Sequence, residues 1–317
     1  VTGLTTREED AVQQLITMHS HDLLLLFTNT GRVYKLKGYE IPEAGRNARG
    51  QAIVNLIQLE ADEKIEAVVP IKDFDQGGYV VMATANGLVK KTALVDYSNI
   101  NVAGIIAISL NEDDHLVHVE LTSGEDELMV FSDAGLALRF SEQQVRATGR
   151  NTQGVYGIRL GAGESLVGLV VVDHDKKLLL ISARGYGKCS RFEDFRLQSR
   201  GGKGLIAYRL TEKTGALMSA RVLKKDENIL MINDDGIIIR VAADDVPVLG
   251  RSTSGVRLMR TGTEGEIVDV AVIDAEDDDE DAELEELDEL DELEADDVDT
   301  DDTDADDETN DEEEDET

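Results

Sequence analysis

Short apolar runs alternate with polar turns along residues 1–274, and the alternation recurs about every fifty residues. Five fourteen-residue segments share an apolar run, a turn with glycine in the ninth place, and a second run with a cation: 23–36, 79–92, 127–140, 177–190 and 228–241. Such runs, bounded by Asn, Asp and Gly, are typical of strand–turn–strand hairpins. Asn86-Gly87 and Asp235-Gly236 favour tight turns, because those turns need positive φ.

Two further units repeat in step with the hairpins. A twelve-residue unit with glycine in its sixth place occurs at 45–56, 99–110, 149–160, 199–210 and 250–261. An acidic turn followed by alternating apolar residues occurs six times, from 8–16 to 265–273. A period near fifty with strand content is typical of stacked blades. The sequence therefore predicts an all-β, propeller-like disc, in which each blade takes a hairpin, a glycine–arginine loop with its strand, and the strand after an acidic turn.

The number of copies predicts how many blades the chain contributes to. The acidic-turn unit occurs once more than the other two units, and Val1–Leu4 resembles residues 155–158, which follow a loop glycine. We therefore expect six blades, the first truncated at the N-terminus.

Charge separates the chain into two parts. The net charge is −36, yet residues 275–317 contain 29 Asp and Glu and no Lys or Arg. Residues 1–274 hold the other 38 acidic residues and all 31 basic ones. We expect a folded domain over 1–274 and a largely disordered acidic tail over 275–317, because like charges repel and no core can form there.

Other features restrict the chemistry. Cys189 is the only cysteine, which suits a reducing cytoplasm, and neither a membrane-length apolar run nor a signal peptide is evident. The five histidines lack further ligands at metal-binding spacing, and no catalytic motif is present. We expect a cytoplasmic chain without membrane contact, metal, cofactor or catalytic activity of its own.

Cations recur at fixed places in the repeats, and this favours nucleic-acid binding. A cation lies four places after the hairpin glycine in every copy except 177–190, where it lies three places after the glycine. Arginine takes the second place in four of the five loop units. A belt of such cations would contact phosphates, and the loop glycines would let backbone N–H groups approach them. The alternatives are arginines paired with the acidic turns, a propeller whose rim binds acidic proteins, and an enzyme with an unrecognised site.

Several long segments resemble one family. The segments GRVYKLKGYEIPEAGRNARGQAIVNL (31–56), VMATANGLVKKT (81–92), LTSGEDELMVFSDAG (121–135), GRNTQGVYGIRLG (149–161) and GRSTSGV (250–256) resemble the C-terminal DNA-wrapping domain of the DNA gyrase A subunit, a type IIA DNA topoisomerase. The resemblance covers residues 1–274 and implies a six-bladed β-pinwheel that bends duplex DNA around a basic rim. The terminal domain of the topoisomerase IV A subunit, a close relative that often has fewer blades, is the alternative.

The resemblance also implies partners. They would be the N-terminal cleavage domain of the gyrase A subunit and the gyrase B subunit, in an A2B2 heterotetramer. That ATP-hydrolysing isomerase would use ATP and Mg²⁺ elsewhere to introduce negative supercoils near the nucleoid, and the acidic tail would modulate wrapping.

The DNA-binding residues expected from the repeats and the resemblance form one set. They are Lys35, Arg46, Arg49, Lys90, Lys91, Arg139, Arg150, Lys188, Arg191, Arg200, Gly201, Gly202, Lys203, Gly204, Arg240 and Arg251. The family's box, Gln-(Arg/Lys)-Arg-Gly-Gly-(Arg/Lys)-Gly, belongs to the first blade. Residues 198–204 match it except for Ser199, and are either a second phosphate clamp or a later blade's ordinary loop.

Overall fold

The computed structural model describes residues 16, 18–44, 50–262 and 265–274. In chain order the strands are β1 (Leu23–Thr28), β2 (Arg32–Lys37), β3 (Ile65–Ile71), β4 (Tyr79–Thr84), β5 (Leu88–Ala93), β6 (Ile105–Ile106), β7 (Leu116–Thr122), β8 (Glu127–Ser132), β9 (Leu136–Ser141), β10 (Val155–Tyr156), β11 (Leu166–Val171), β12 (Lys177–Ser182), β13 (Tyr186–Ser190), β14 (Leu205–Ile206), β15 (Leu217–Leu223), β16 (Glu227–Asn233), β17 (Ile238–Ala242), β18 (Val256–Arg257) and β19 (Ile267–Asp274). Single 3-10 turns lie at Gly38–Glu40, Ile53–Asn55, Leu94–Tyr97, Glu142–Gln144, Phe192–Asp194 and Ala243–Asp245. The described part contains no α-helix, which confirms the all-β prediction. Its short 3-10 turns cannot cross a membrane.

All five predicted hairpins form, each closed at its ninth-place glycine. Gly135 illustrates why glycine is needed there. Its φ is +75°, a conformation that L side chains rarely adopt, and a Cβ would lie 2.5 Å from the carbonyl oxygen of Tyr208. The turn therefore excludes a side chain both through its own backbone conformation and through its contact with the segment that follows the loop strand β14.

The strands form five sheets, which we name blades I to V. From one edge to the other their orders are β3-β1-β2-β6, β7-β4-β5-β10, β11-β8-β9-β14, β15-β12-β13-β18 and β19-β16-β17. The first blade expected from the sequence falls on residues 1–15, outside the described residues, so five blades are observed rather than six.

The short loop strand in blades I to IV comes from farther along the chain than the sequence suggested. Strand β6 follows the hairpin of blade II, yet it pairs with β2 of blade I, with Arg32 opposite Ile106. Strands β10, β14 and β18 are likewise donated to the preceding blade. Blades I to IV thus take the three predicted kinds of strand, with the loop strand donated by the next stretch of chain, whereas blade V in the described residues has only its hairpin and the strand after an acidic turn.

The two edges of the blades differ. The strands after the acidic turns, β3, β7, β11, β15 and β19, contact one another in chain order and form the central edge. Apolar side chains fill the space between neighbouring sheets, as where Phe131 of blade III and Phe192 of blade IV share one buried cluster. The donated loop strands lie at the opposite edge, which we call the rim. The glycine–arginine loops are therefore carried at the rim of the domain.

Candidate nucleic-acid interface

Consecutive loops at the rim are joined by backbone hydrogen bonds. The residue in the eleventh place of one loop unit donates its N–H to the carbonyl in the fourth place of the next unit. The three bonds are Ser109 to Thr152 at 3.1 Å, Arg159 to Gly202 at 2.8 Å and Arg209 to Thr253 at 3.1 Å. We name the linked units 99–110, 149–160, 199–210 and 250–261 the loop rail. Its continuity fixes the loops of neighbouring blades relative to one another.

The second-place arginines reinforce these links. Arg200 donates from Nη1 to the carbonyl of Tyr156 at 3.1 Å and from Nε to that of Gln144 at 2.9 Å. Arg251 donates from Nη1 to the carbonyl of Ile206 at 2.9 Å. Both are half-buried, and a guanidinium has five N–H donors, so these bonds leave donors for a further acceptor. In the described part of the chain, no ion pair joins either arginine to an acidic turn.

The rail also carries exposed arginines that the sequence interpretation overlooked. Arg159, Arg209 and Arg260 occupy the eleventh place of three successive units, and all are exposed. Arg146 and Arg196, also exposed, each lie four residues before a second-place arginine. The signal was available, because the eleventh place reads Asn, Ser, Arg, Arg and Arg along the five copies. It was missed because the glycine and second-place arginine define the unit more visibly.

Two of the repeated hairpin cations are buried between blades, so the expected exposed belt is wrong at these positions. Lys91 is 5% exposed, and its Nζ lies 3.0 Å from the carbonyl oxygen of Glu142, 3.5 Å from the carboxylate of Glu142 and 4.9 Å from the ring centre of Tyr79. Arg139 is 8% exposed and reaches across to blade IV. Phosphate cannot reach either cation without opening the blade interface.

Arg139 has four partners. Its Nη1 donates to the carbonyls of Phe192 at 2.9 Å and Phe195 at 3.1 Å, and its Nε donates to Glu127 at 2.6 Å. Its Nη2 lies 3.0 Å from Nε2 of His174, whose Nδ1 is 2.6 Å from a carboxylate oxygen of Glu193. These contacts make Arg139 a connection between blades III and IV.

Lys90 and Lys188 are also buried, again in contrast to the exposed belt expected from the sequence. Their ammonium groups donate to backbone carbonyls beneath the rim loops, and burial lowers the pKa of each to about 8. Lys35 is half-buried, with its Nζ 5.6 Å from the ring centre of Phe74. Arg240 is exposed on β17 in blade V. The hairpin cations therefore occupy several environments rather than one belt.

Among the remaining predicted site residues, Arg150 and Lys203 lie in the loops of the rail, and Arg191 lies just after β13. Arg191 and Lys203 are exposed, Arg150 is half-buried, and Arg46 and Arg49 lie outside the described residues. Residues 198–204 form the blade III loop. There the N–H of Gly201 donates to the carbonyl of Gly157 at 2.7 Å, and Gly204 has a φ of +81°. This segment occupies the ordinary loop position of the rail while presenting a glycine-rich surface with one exposed lysine.

Bladed sheets with donated loop strands and a linked, arginine-bearing rim define a propeller-type domain. The family described as "DNA gyrase C-terminal domain, beta-propeller" matches residues 22–72, 78–123, 126–173, 176–224 and 227–274, one match for each blade. The chain belongs to this family.

Individual relatives agree with the family. The DNA gyrase A subunit of Escherichia coli (strain K12) is 44% identical over 262 residues, which cover 83% of this chain and 30% of that protein. The solved C-terminal domain of DNA topoisomerase IV has a TM-score of 0.77 at 28% identity, covering 87% of this chain and 86% of the other. A DNA gyrase A C-terminal domain has a TM-score of 0.70 at 28% identity, with coverages of 81% and 84%. The chain thus spans about a third of the length of the curated relatives it matches.

Proposed function

We propose that this domain binds duplex DNA along the loop rail and wraps it around the rim. The observation that carries the proposal is the succession of exposed arginines on loops that are hydrogen-bonded to one another, Arg159 to the 199–210 unit and Arg209 to the 250–261 unit. A rigid row of cations contacts the phosphate backbone at successive points, which gives affinity without sequence preference.

Wrapping requires contacts from several blades. Bending 20–30 base pairs by 40–90° costs on the order of 1–6 kcal/mol. One surface arginine cannot offset such a cost, because an exposed charge pair contributes roughly 0–1 kcal/mol. Arginines on at least three successive loops, held in register by the rail, supply the several simultaneous contacts that a bend needs.

In the holoenzyme we propose, this domain is the C-terminal part of the DNA gyrase A subunit. It presents the wrapped segment to the N-terminal cleavage domain of the same polypeptide, in an A2B2 assembly with the gyrase B subunit. The ATP and Mg²⁺ used for negative supercoiling bind elsewhere, this chain holds no cofactor, and the enzyme works in the bacterial cytoplasm at the nucleoid. The curated relatives are DNA gyrase A subunits, the first of them 44% identical, and they support this assignment.

The second candidate is the corresponding domain of topoisomerase IV, favoured by the TM-score of 0.77 to that structure. The two candidates separate in one assay on the full-length polypeptide that contains this domain, reconstituted with its partner subunit. Gyrase would introduce negative supercoils into relaxed plasmid, whereas the alternative predicts ATP-dependent relaxation without net negative supercoiling.

The rail is tested by the salt dependence of DNA affinity. Each phosphate contact contributes about 0.9 to the slope of log affinity against log salt. We expect Arg159→Ala and Arg209→Ala each to reduce the slope by about one on any duplex sequence. Lys225→Ala is the matched control, an exposed cation between β15 and β16 and away from the rail. Unchanged slopes for both arginine variants would contradict the proposal.

The acidic tail, residues 275–317, lies outside the described residues, and we propose that it competes with DNA for the rim. Its 29 tethered carboxylates would act at an effective concentration of roughly millimolar. Deleting it should tighten DNA binding most at low salt, with the gain shrinking as screening increases. Equal affinity with and without the tail at about 50 and about 200 mM salt would make it a solubilising segment only.

A further inference from the structure

Two buried lysines occupy the same place in two different blades. Lys90 in β5 and Lys188 in β13 each lie three residues after a hairpin glycine, and both are fully buried beneath a rail loop. No carboxylate of the described residues forms an ion pair with either ammonium group. A buried charge without hydrogen-bonding partners is strongly unfavourable, so the groups that surround these two lysines require explanation.

The loop at 250–255 wraps around the ammonium group of Lys188. Its Nζ donates to the carbonyls of Gly250 at 3.0 Å, Arg251 at 2.8 Å and Thr253 at 3.0 Å, and lies 3.2 Å from the hydroxyl of Thr253. The ring centre of Tyr208 lies 5.1 Å away on another side. The carbonyls of three of four successive residues therefore point inward at one cation. The chain before and after this loop pairs with the neighbours of Lys188 in β13, Val248 with Cys189 and Val256 with Gly187.

Lys90 has an equivalent arrangement with fewer partners. Its Nζ donates to the carbonyl of Arg150 in the loop above at 2.8 Å and to that of Ala107 at 2.6 Å. In both loops the fourth-place threonine donates its hydroxyl to the first-place glycine, Thr152 to Gly149 at 2.9 Å and Thr253 to Gly250 at 2.8 Å. The two Gly-Arg-x-Thr loops are thus the two that have a lysine beneath them.

The other described loops lack an ammonium group at this place. Leu138 takes the position in blade III, beneath the 199–204 loop, where the N–H of Arg200 instead donates to the side chain of Gln144 at 2.9 Å. Tyr34 takes it in blade I, beneath a loop with Ile100 in place of the arginine. The lysine and the Gly-Arg-x-Thr sequence therefore occur together across blades, although they are about sixty residues apart in the chain.

An ammonium group beneath a loop has two physical consequences. It holds loop carbonyls inward and so sets which way the peptide groups and the arginine of the loop are presented at the rim. It also places a positive charge in a low-dielectric region just below the surface, where screening by salt is weaker than for an exposed lysine. Both effects favour a phosphate bound above the loop.

We propose that Lys90 and Lys188 are positioning residues of the DNA-binding rail, each fixing the Gly-Arg-x-Thr loop above it in its phosphate-binding conformation. This inference rests on the proposed function of the rail. The blade III loop, which lies over Leu138, is a contact that does not depend on a buried ammonium group.

The geometry makes these two contacts sensitive to pH. Burial lowers the pKa of both lysines to about 8, so their ammonium forms predominate at pH 7 and are lost as the pH rises above 8. Asp194 raises the pKa of Lys188, Arg150 lowers that of Lys90, and Asp96 raises that of Lys90.

The neighbouring phenols and guanidinium groups do not lose or gain charge in the same interval. Burial raises the pKa of Tyr208, beside Lys188, to about 12 and also raises that of Tyr97 near Lys90. Arginine stays protonated throughout. The two lysines therefore change charge near pH 8 while the groups packed against them keep theirs.

The test measures the affinity of the full 317-residue chain for a short duplex at pH 7 and at about pH 9.5, on either side of these pKa values, at constant salt. We expect wild type to lose about tenfold in affinity between the two pH values, because the positions of two phosphate contacts depend on the lysines. The Lys90→Met, Lys188→Met double variant should bind about tenfold more weakly at pH 7 and lose little more at high pH. Leu138→Met, the same place in blade III, is the control and should keep the wild-type profile.

Each outcome decides between specific alternatives. A folded double variant with wild-type affinity and pH profile would overturn the inference. If that variant does not fold, the pH profile of the wild type decides alone. An affinity that stays unchanged up to about pH 9.5 would overturn the inference, because lysines with a pKa near 8 would have lost their charge by then. If Arg159→Ala lowers the salt slope while the lysine variant keeps the wild-type affinity and pH profile, the proposed DNA binding by the rail is supported and only this inference fails. A chain that does not bind DNA at pH 7 refutes both.

Discussion

Replacing Arg139 by alanine should destabilise the domain instead of removing a phosphate contact. The guanidinium joins β9 of blade III to the carbonyls of Phe192 and Phe195 in blade IV, and both of those phenylalanines are buried. Truncation would leave the two carbonyls without this donor at the blade interface. It would also remove the partner of Glu127, whose side chain is 32% exposed and can therefore be hydrated.

The magnitude follows from these partners. The carbonyl of Phe195 would lose its donor, which costs about 1–3 kcal/mol. The carbonyl of Phe192 keeps the N–H of Phe195 at 3.1 Å but loses a hydrogen bond to a charged group, which contributes about 1.5–3 kcal/mol. Glu127 adds less than a fully buried carboxylate would, since water can replace the arginine. The sum agrees with the roughly 3–5 kcal/mol measured when one partner of a buried charged pair is removed. We therefore expect the free energy of unfolding to fall by about 3–5 kcal/mol.

Urea denaturation measures this change. With a slope of about 1–3 kcal/mol per molar urea, the midpoint should fall by at least about 1 M. Arg196→Ala is the control, an exposed arginine just after Phe195, and should stay within about 0.5 kcal/mol of wild type. The reasoning would be refuted if Arg139→Ala unfolded at the wild-type midpoint and lowered the salt slope of DNA binding as much as Arg159→Ala does.

Two further predictions concern the scaffold. Gly135→Ala should lower the free energy of unfolding by at least about 2 kcal/mol in urea, because strain at positive φ adds to a steric clash; Gly163→Ala, where φ is +78° but the space is open, should cost less. Burial acts to raise the pKa of Glu63, but the N–H of Glu60 and the hydroxyl of Tyr34 outweigh it and hold that pKa below its ordinary value. The carboxylate of Glu63 therefore stabilises the fold above its ordinary pKa, and this contribution is lost as the pH falls through its lowered pKa in the folded state. Glu63→Gln should accordingly flatten the acid side of a curve of unfolding free energy against pH. A curve as steep as that of the wild type would contradict this.

The hairpins could be predicted from the sequence because their signals are local. Tight turns such as Asn86-Gly87 need positive φ, and the flanking apolar runs fix both strands within fourteen residues. The exchange of loop strands could not be predicted in the same way. Periodicity identifies β6 as a strand, but nothing in Ile105 and Ile106 distinguishes pairing with the nearest hairpin from pairing with the preceding one.

The sequence placed the hairpin cations on an exposed belt, but most of them are buried, and the reason is related. A residue that recurs in every repeat recurs at the same place on the rim or at the same place between blades, and the sequence pattern is identical in the two cases. In β5, Lys90 and Lys91 point to opposite faces of the strand, yet both are buried because each face of the sheet meets a neighbouring element. The four-residue buried row in β5 includes two lysines, which hydropathy alone marks as solvent-exposed.

In the eleventh place of the loop unit, the backbone joins neighbouring loops while the side chain determines the charge at the rim. The bond that joins one loop to the next uses a backbone N–H, and it forms equally with Ser109, Arg159 and Arg209 in that place. The side chain can therefore vary from blade to blade without altering the rail. Phosphate contacts can be added or removed singly in this way, while the buried cations Lys91 and Arg139 stay committed to blade packing. Under the proposed function, the DNA affinity of the domain would be set by a few exposed positions and by the buried lysines that fix two of the loops, and its net charge would be a poor guide to how it binds.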